Sequence, residues 1–475
     1  MSSSESGRRT FQSRLNDMVD QLRDGIHTGI YKTGTYLPPE KNLAKQFGLS
    51  NKTVRKGLEE LAEEGLIEKI PRVGSLVIAS GREPAGKPEI TLMLGCYLKD
   101  ELELGLSRLL ADFEQLHPEI HVEAVAVNSY PTFVKTMRPM MDNGLVDLIT
   151  IKDRHFEEVA GEGYEDILKP QQPSGDVYPF LNKVFTERSV LYALPIQFSP
   201  LVLAYNLRHF RETGVQEPDS GWTWEHAMVE AGRLSIPGQR YGFHFQPLHH
   251  ERWPLFLLQG TGSSAAGTRS GAWLDGIRLS KEMMGNHTFF PNLLFSSEND
   301  VGTLFLQGKT SMIITGYEAL NRFSSSPLEY DISSLPYMHD PRTLLSSTGI
   351  AVNTLTKYPE EAQLLADYLT SPRAQQLIRE HTLSIPALKA VAEAPDEGER
   401  TLNRPSRFHL FRDIIPAFRT YRDLELSAPA FRELHEILKT YWTGLIGEDT
   451  LRAEIDAITS RYPARPEPQQ AAIPK

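Results

Sequence analysis

Apolar residues recur at helical spacing early in the chain, at Phe11, Leu15, Met18, Val19, Leu22 and Ile26, and predict an amphipathic helix. Gly25 and Gly29 weaken its end, and Gly34 opens a turn before Leu37-Pro38-Pro39. A second helix is expected from Glu40 to Phe47, with Leu43, Ala44 and Phe47 inward. Gly48-Leu49-Ser50 then breaks the chain, because glycine permits a sharp turn and Ser50 is placed to cap the next helix. That helix buries Val54, Leu58 and Leu61, so Asn51, Lys52, Thr53, Arg55 and Lys56 crowd its first turns and most must point outward. Short β runs at Leu66–Ile70 and Ser75–Ile78 flank Pro71-Arg72-Val73-Gly74 and read as a hairpin. Helix, glycine turn, helix with a polar and basic start, then hairpin is the order of a winged helix-turn-helix.

The pattern changes after a linker over 80–89, rich in Pro and Gly. Strand-like runs at Ile90–Gly95, His121–Val127 and Asp147–Ile151 alternate with helical patterns at Asp100–His117 and Tyr130–Asn143. Such alternation predicts an α/β domain with a mainly parallel sheet. Ligands in these sheets sit beyond the strand carboxyl ends. Gly95–Tyr97, Asn128–Tyr130 and Lys152-Asp153 therefore belong to one crevice, and Tyr130 and Asp153 are ligand-binding candidates.

Charge sharpens the division. The whole chain of 475 residues carries a formal −11. Residues 1–80 hold 12 Lys+Arg against 10 Asp+Glu, a net of +2, which leaves −13 on the rest. A slightly basic head on an acidic body fits DNA binding by the head alone. One cysteine, Cys96, allows no disulfide framework. No apolar run of signal-peptide length opens the chain, and none approaches the ~20 residues of a membrane span. The expectation is a cytoplasmic protein without membrane contact.

The stretch from Ile26 to Val77 resembles the winged-helix head of the GntR family of bacterial transcription regulators. Gly34, Leu37-Pro38, Glu40, Leu43-Ala44, Gly48, Ser50, Thr53-Val54-Arg55, Leu58, Leu61, Gly65-Leu66-Ile67 and Gly74-Ser75 carry the likeness. The resemblance implies DNA contacts from Lys41, from Asn51, Lys52, Thr53 and Arg55, and from the wing residues Arg72 and Gly74. Family members often have Arg where this chain has Lys41 and Asn51.

A second resemblance covers about Ile90 to Tyr462. In order come FEQLHPEIHVEAVAV, Asp147–Ile151, the run from Leu191 through GWTWEHAM, LFLQGKTSMIITGYEAL and PEEAQLLADYLTSPRAQQ. They resemble the type 1 extracellular solute-binding proteins, the sugar-binding components of ABC importers. The resemblance implies a two-lobed α/β periplasmic-binding-protein-like domain over 90–463, with a carbohydrate cleft between lobes. Its crossings are expected near Gln197–Leu203, Ile314–Gly316 and Leu369–Ser371. Lobe 1 then holds about 90–197 and 316–369, lobe 2 about 201–313 and 372–463, and 464–475 is a disordered tail. Within it, Gln197 and Phe198 on the first crossing face the cleft. Gly316-Tyr317 stands where the family has Gly-Trp, so Tyr317 is the leading ring for stacking on a sugar, a packed hinge tyrosine being the alternative. Trp253 and Trp273 are cleft or lobe-core rings, Arg342 a cleft-edge or solvated arginine, and Trp222 and Trp224 core.

Catalysis finds no support. There is no phosphate-binding GxxxxGK[ST] loop, no GxSxG and no CxxC. His249-His250-Glu251 is a poor metal set, since adjacent side chains do not share a face. No cofactor or metal is expected. The reading is a ligand-responsive, dimeric transcriptional regulator that binds double-stranded operator DNA and senses a small molecule, a mono- or oligosaccharide. The alternatives are an aminotransferase-like, pyridoxal-phosphate body on the same head, a plain importer component, and a LacI-type sugar-binding body.

Overall fold

The computed structural model describes residues 11–27, 31, 34–70, 74–78, 90–127, 133–261, 269–291, 298–395 and 402–463. The chain divides into two compact units at 89/90. The expected linker, the tail 464–475, and the candidates Arg72 and Tyr130 lie outside the described residues.

The first unit is a winged helix. Helices α1 (Phe11–His27), α2 (Glu40–Phe47) and α3 (Asn51–Glu63) precede an antiparallel pair, β1 (Ile67–Ile70) and β2 (Gly74–Val77). Leu15, Met18, Val19, Leu22 and Ile26 of α1 meet Leu43, Val54, Leu58 and Leu61 in one core. Gly48 adopts φ 63° and its N–H closes α2 on the Ala44 carbonyl. Ser50 caps α3, its hydroxyl accepting from the Thr53 N–H. Gly57 lets α1 approach α3: a Cβ there would stand 2.5 Å from Met18 Cε.

The second unit begins with parallel strands β3 (Ile90–Cys96), β4 (Ile120–Ala126) and β5 (Leu148–Lys152). The single helix expected over Asp100–His117 is two, α4 (Asp100–Leu104) and α5 (Leu106–Leu116), because Gly105 turns left-handed at φ 65°. Helix α6 (Phe133–Asp142) returns to β5, and α7 (Asp153–Gly161) leaves it.

The long strand Leu194–Asn206 is buried along almost its whole length. Even its polar residues Gln197 and Ser199 are buried, because both faces are covered. Its first half pairs with the strand Thr343–Val352, and its second with Thr310–Gly316 and Tyr330–Ser333. Thr343–Val352 pairs in turn with β5. One ten-stranded sheet therefore runs through the body, and Leu194–Asn206, which contains Gln197–Leu203, joins its two halves.

The other two crossings need correction. Tyr330–Ser333 still pairs with the lobe 2 half of the long strand, so the chain has not crossed at Ile314–Gly316. Thr343–Val352 is the strand that returns. Helix Pro372–His381 buries Ala374 and Ile378 in the same core as β3 and α5, so it belongs to lobe 1. The last crossing comes after Leu388, toward Phe408 and Phe411, not at Leu369–Ser371. Buried pairing, not motif order, decides where the chain changes lobe.

Candidate DNA-reading face and interlobe cleft

The first turns of α3 present Asn51, Lys52, Arg55 and Lys56 to solvent, and Lys41 is exposed on α2. A helix start combines free backbone N–H groups with these polar side chains, which suits phosphate and base edges. Arg55 is held by Glu40, with Nε donating to Oε2 at 2.8 Å. Both are largely exposed, so the pair contributes little to stability and orients the guanidinium instead. Thr53 is different. It is buried, and its hydroxyl lies 2.7 Å from Ser50 Oγ. It completes the cap of α3 and has no outward face for DNA, which corrects the expectation. Gly74 starts β2 and is exposed.

In the body, the ends of β3 and β5 converge with loops of the opposite lobe. Lys152 Nζ lies 2.9 Å from Glu103 Oε2 in lobe 1 and 2.9 Å from Glu318 Oε2 in lobe 2. Burial disfavours the ammonium, but the two carboxylates outweigh it and hold Lys152 well above its usual range. One lysine cannot neutralise two glutamates. Burial and the Glu103 charge push Glu318 up to about 7. Asp100 accepts from the Tyr97 N–H at 2.9 Å and from the Thr150 hydroxyl at 2.6 Å. Burial still raises its carboxyl.

Asp153 follows at the first position of α7. It is buried, and neither carboxylate oxygen has a hydrogen-bond partner. Burial, with the nearby Glu251 charge, pushes it up to about 8. Glu251 reaches the cluster from lobe 2. Burial opposes its ionisation, but His249, Arg252 and Lys152 win and hold it at about 2. His155 lies between Tyr97 Oη at 2.6 Å and Arg154 Nη2 at 2.5 Å, and stacks on Phe133 at 4.4 Å. Burial and Arg154 keep it neutral. Burial and the same Arg154 lower His250 to about 3. The lobes are also tied by Arg422, which bonds Glu157 and lies 3.5 Å from Glu187, and by Arg432, 3.7 Å from Glu158.

The rings expected in the cleft are elsewhere. Tyr317 is fully buried, its hydroxyl donating to the Phe408 carbonyl at 2.8 Å and accepting from the Phe411 N–H at 3.1 Å. It sits edge-on to both phenyl rings, leaving no face for a sugar. Trp273 is buried in the lobe 2 core. Trp253 is buried too, stacked on His435 at 5.5 Å. Phe198 belongs to an aromatic core with Tyr178, Phe180 and Phe411. Gln197 is buried and donates to Thr348 Oγ1 at 3.4 Å, between strands. Arg342 Nη1 donates to the Leu258 carbonyl at 3.0 Å and to Thr261, so it fastens a loop. These six placements are corrections to a cleft role.

Of the ligand candidates, only Asp153 among the described residues reaches the interlobe cluster. Glu103 and Glu318 carry no mark in the sequence, because single carboxylates are common in an acidic chain, and Glu251 stands out there only within a poor metal set. The HHER loop before Trp253 was a usable signal, since its polar residues are followed at once by a buried helix, Trp253–Gly260.

The model of the bacterial extracellular solute-binding proteins matches residues 100–376, and that of the gntR family of bacterial regulatory proteins matches residues 16–77. The chain is 24% identical over 336 residues to the galactooligosaccharide-binding protein of Bacillus subtilis, covering 64% of this chain and 76% of the relative. The head is 35% identical over 66 residues to the histidine utilization repressor of Klebsiella aerogenes, covering 14% of this chain and 26% of that protein. Among solved structures, maltose-bound MalE3 of T. maritima superposes with TM-score 0.67 at 16% identity, over 78% of this chain and 100% of the other. A substrate-binding protein of Listeria monocytogenes in complex with cycloalternan gives 0.65 at 17%, over 78% and 99%. With more than half of its length matched, the chain belongs to the bacterial extracellular solute-binding protein family, and it carries a gntR-family regulatory domain ahead of that body.

Proposed function

We propose that this protein is a solute-responsive transcription regulator. The head binds operator DNA through Lys41, Asn51, Lys52 and Arg55, with Arg72 and Gly74 at the wing. The body binds a small hydroxylated solute between its lobes and changes DNA affinity. The observation that carries the reading is the Lys152–Glu318 contact, which joins the lobes through groups that a polar solute would have to rearrange. Relatives named for binding galactooligosaccharide and multiple sugars favour a saccharide. The matched families are DNA-binding regulators and solute-binding proteins, not enzymes. Among the described residues, no helix is long and apolar enough to cross a membrane.

The protein acts as a homodimer in the cytoplasm, where each head reads one half-site about 34–36 Å from the other. Ligand acts by binding two body states with different affinity, and the resulting coupling is reciprocal. The test pairs two measurements. Thermal shift against a saccharide panel finds ligands, because selective binding to the folded state raises the melting temperature. Operator affinity is then measured with and without each hit. A hit that leaves operator affinity unchanged refutes the sensor reading.

A further inference from the structure

Asp153 is 3% exposed, and neither of its carboxylate oxygens meets a donor. The amide N–H groups of Arg154 and Ser347 lie near without reaching hydrogen-bond geometry. The neighbouring cations are engaged elsewhere. Lys152 is turned to Glu103 and Glu318, Arg154 donates to His155, and Arg252 Nη1 donates to Glu251 Oε2 at 3.1 Å. Glu251 brings a second carboxylate from the opposite lobe, close enough to act on Asp153. His155 and His250 are kept neutral by burial and add no positive charge.

A buried carboxyl without partners stays protonated near neutral pH, and it ionises there only when a cation is brought beside it. Sugar hydroxyls would supply donors but no charge. A protonated amine supplies both, with three N–H donors and a compact positive charge. A metal ion does not fit, since no three His, Cys, Asp or Glu side chains converge on a metal position among the described residues.

We propose that the solute taken by the interlobe cleft carries a protonated amino group that docks on Asp153, with Glu251 as the carboxylate across the cleft. The ligand class is an amino sugar or another polyhydroxylated amine. The proposal rests on the reading of this cleft as the sensory site, and goes beyond it in the charge of the ligand.

Calorimetry on the full chain near neutral pH tests it with matched pairs. These are D-glucosamine and D-glucose, D-galactosamine and D-galactose, and the glucosamine disaccharide and cellobiose, with N-acetyl-D-glucosamine as the uncharged control. The expected result is that an amino member binds at least about tenfold tighter than its neutral counterpart. Asp153→Asn erases that preference, and Asp153→Glu keeps part of it. Melting curves confirm that both variants are folded. A neutral member that binds as well as its amino counterpart overturns the amine proposal but leaves the saccharide sensor standing. A preference that survives Asp153→Asn overturns the docking residue. If no member of any pair binds, both the proposal and the sensory reading fall.

Discussion

Lys152 at the end of β5 and Glu318 after the strand Thr310–Gly316 meet at 2.9 Å, and the contact joins two lobes that the chain builds far apart in sequence. Glu103 shares the same ammonium at 2.9 Å. Removing the cation leaves two buried carboxyls facing each other. Lys152→Met should therefore cost about 3–5 kcal/mol, the usual penalty for stranding a buried charge. Urea unfolding at neutral pH checks this, and a loss under about 1 kcal/mol would mean that the clasp is solvated.

The clasp should respond to pH. In the closed lobes Glu318 is pushed up to about 7 from its ordinary 4.5, so ionisation is disfavoured there and unopposed once the lobes part. A raised acid loses stabilisation as pH rises from its free value toward its buried one. Opening should thus be favoured as pH climbs from about 5 to 7, by roughly 1.4 kcal/mol per unit at most. Small-angle scattering of ligand-free protein reads it as a growing radius of gyration. Glu318→Gln should flatten the trend.

Asp153→Asn removes a carboxyl whose buried form is pushed to about 8. The wild type loses stability from the unfolded value near 4 upward, so the variant's advantage should widen between about pH 5 and 8. Thermal melts without ligand at several pH values test it. A variant less stable than wild type at pH 8 would show that the carboxylate has partners in solution.

Tyr317 joins Phe408 and Phe411 through one hydroxyl. Tyr317→Phe should cost about 1–3 kcal/mol by leaving a buried N–H and C=O unpaired. Tyr317→Ala should cost about 3–5 kcal/mol through the cavity. Ligand affinity of the folded Tyr317→Phe protein should stay near wild type. A selective loss of affinity, with stability intact, would return the residue to the cleft.

In the head, Lys52→Ala and Arg55→Ala should each weaken binding to selected operator fragments by about 1–3 kcal/mol without unfolding. Gly57→Val should act the other way round. Its side chain has no room against Met18 and Val19, so overpacking of about 1–3 kcal/mol falls on the α1–α3 contact. Hydrogen exchange should accelerate in α3 and stay unchanged in the body. DNA binding at wild-type strength in both Lys52→Ala and Arg55→Ala would remove that face from the interface.

Local rules wrote the head into the sequence. Helix periodicity, the left-handed Gly48, the Ser50 cap and the exposed Lys52 and Arg55 depend on neighbours within a few residues. The alternation of strand and helix also announced an α/β body. Which strand returns between the lobes was not local. Tyr330–Ser333 and Thr343–Val352 both mix apolar with polar residues, and only their pairing partners separate them. The fate of the aromatic rings was decided the same way. Tyr317, Trp253 and Trp273 stand in polar or glycine-rich sequence, yet helices and loops from distant segments close over each of them. Glu103, Lys152, Glu251 and Glu318 became one electrostatic unit only when the chain folded. Coulomb energy depends on distance in space and on exclusion of water, and neither is encoded in spacing along the chain.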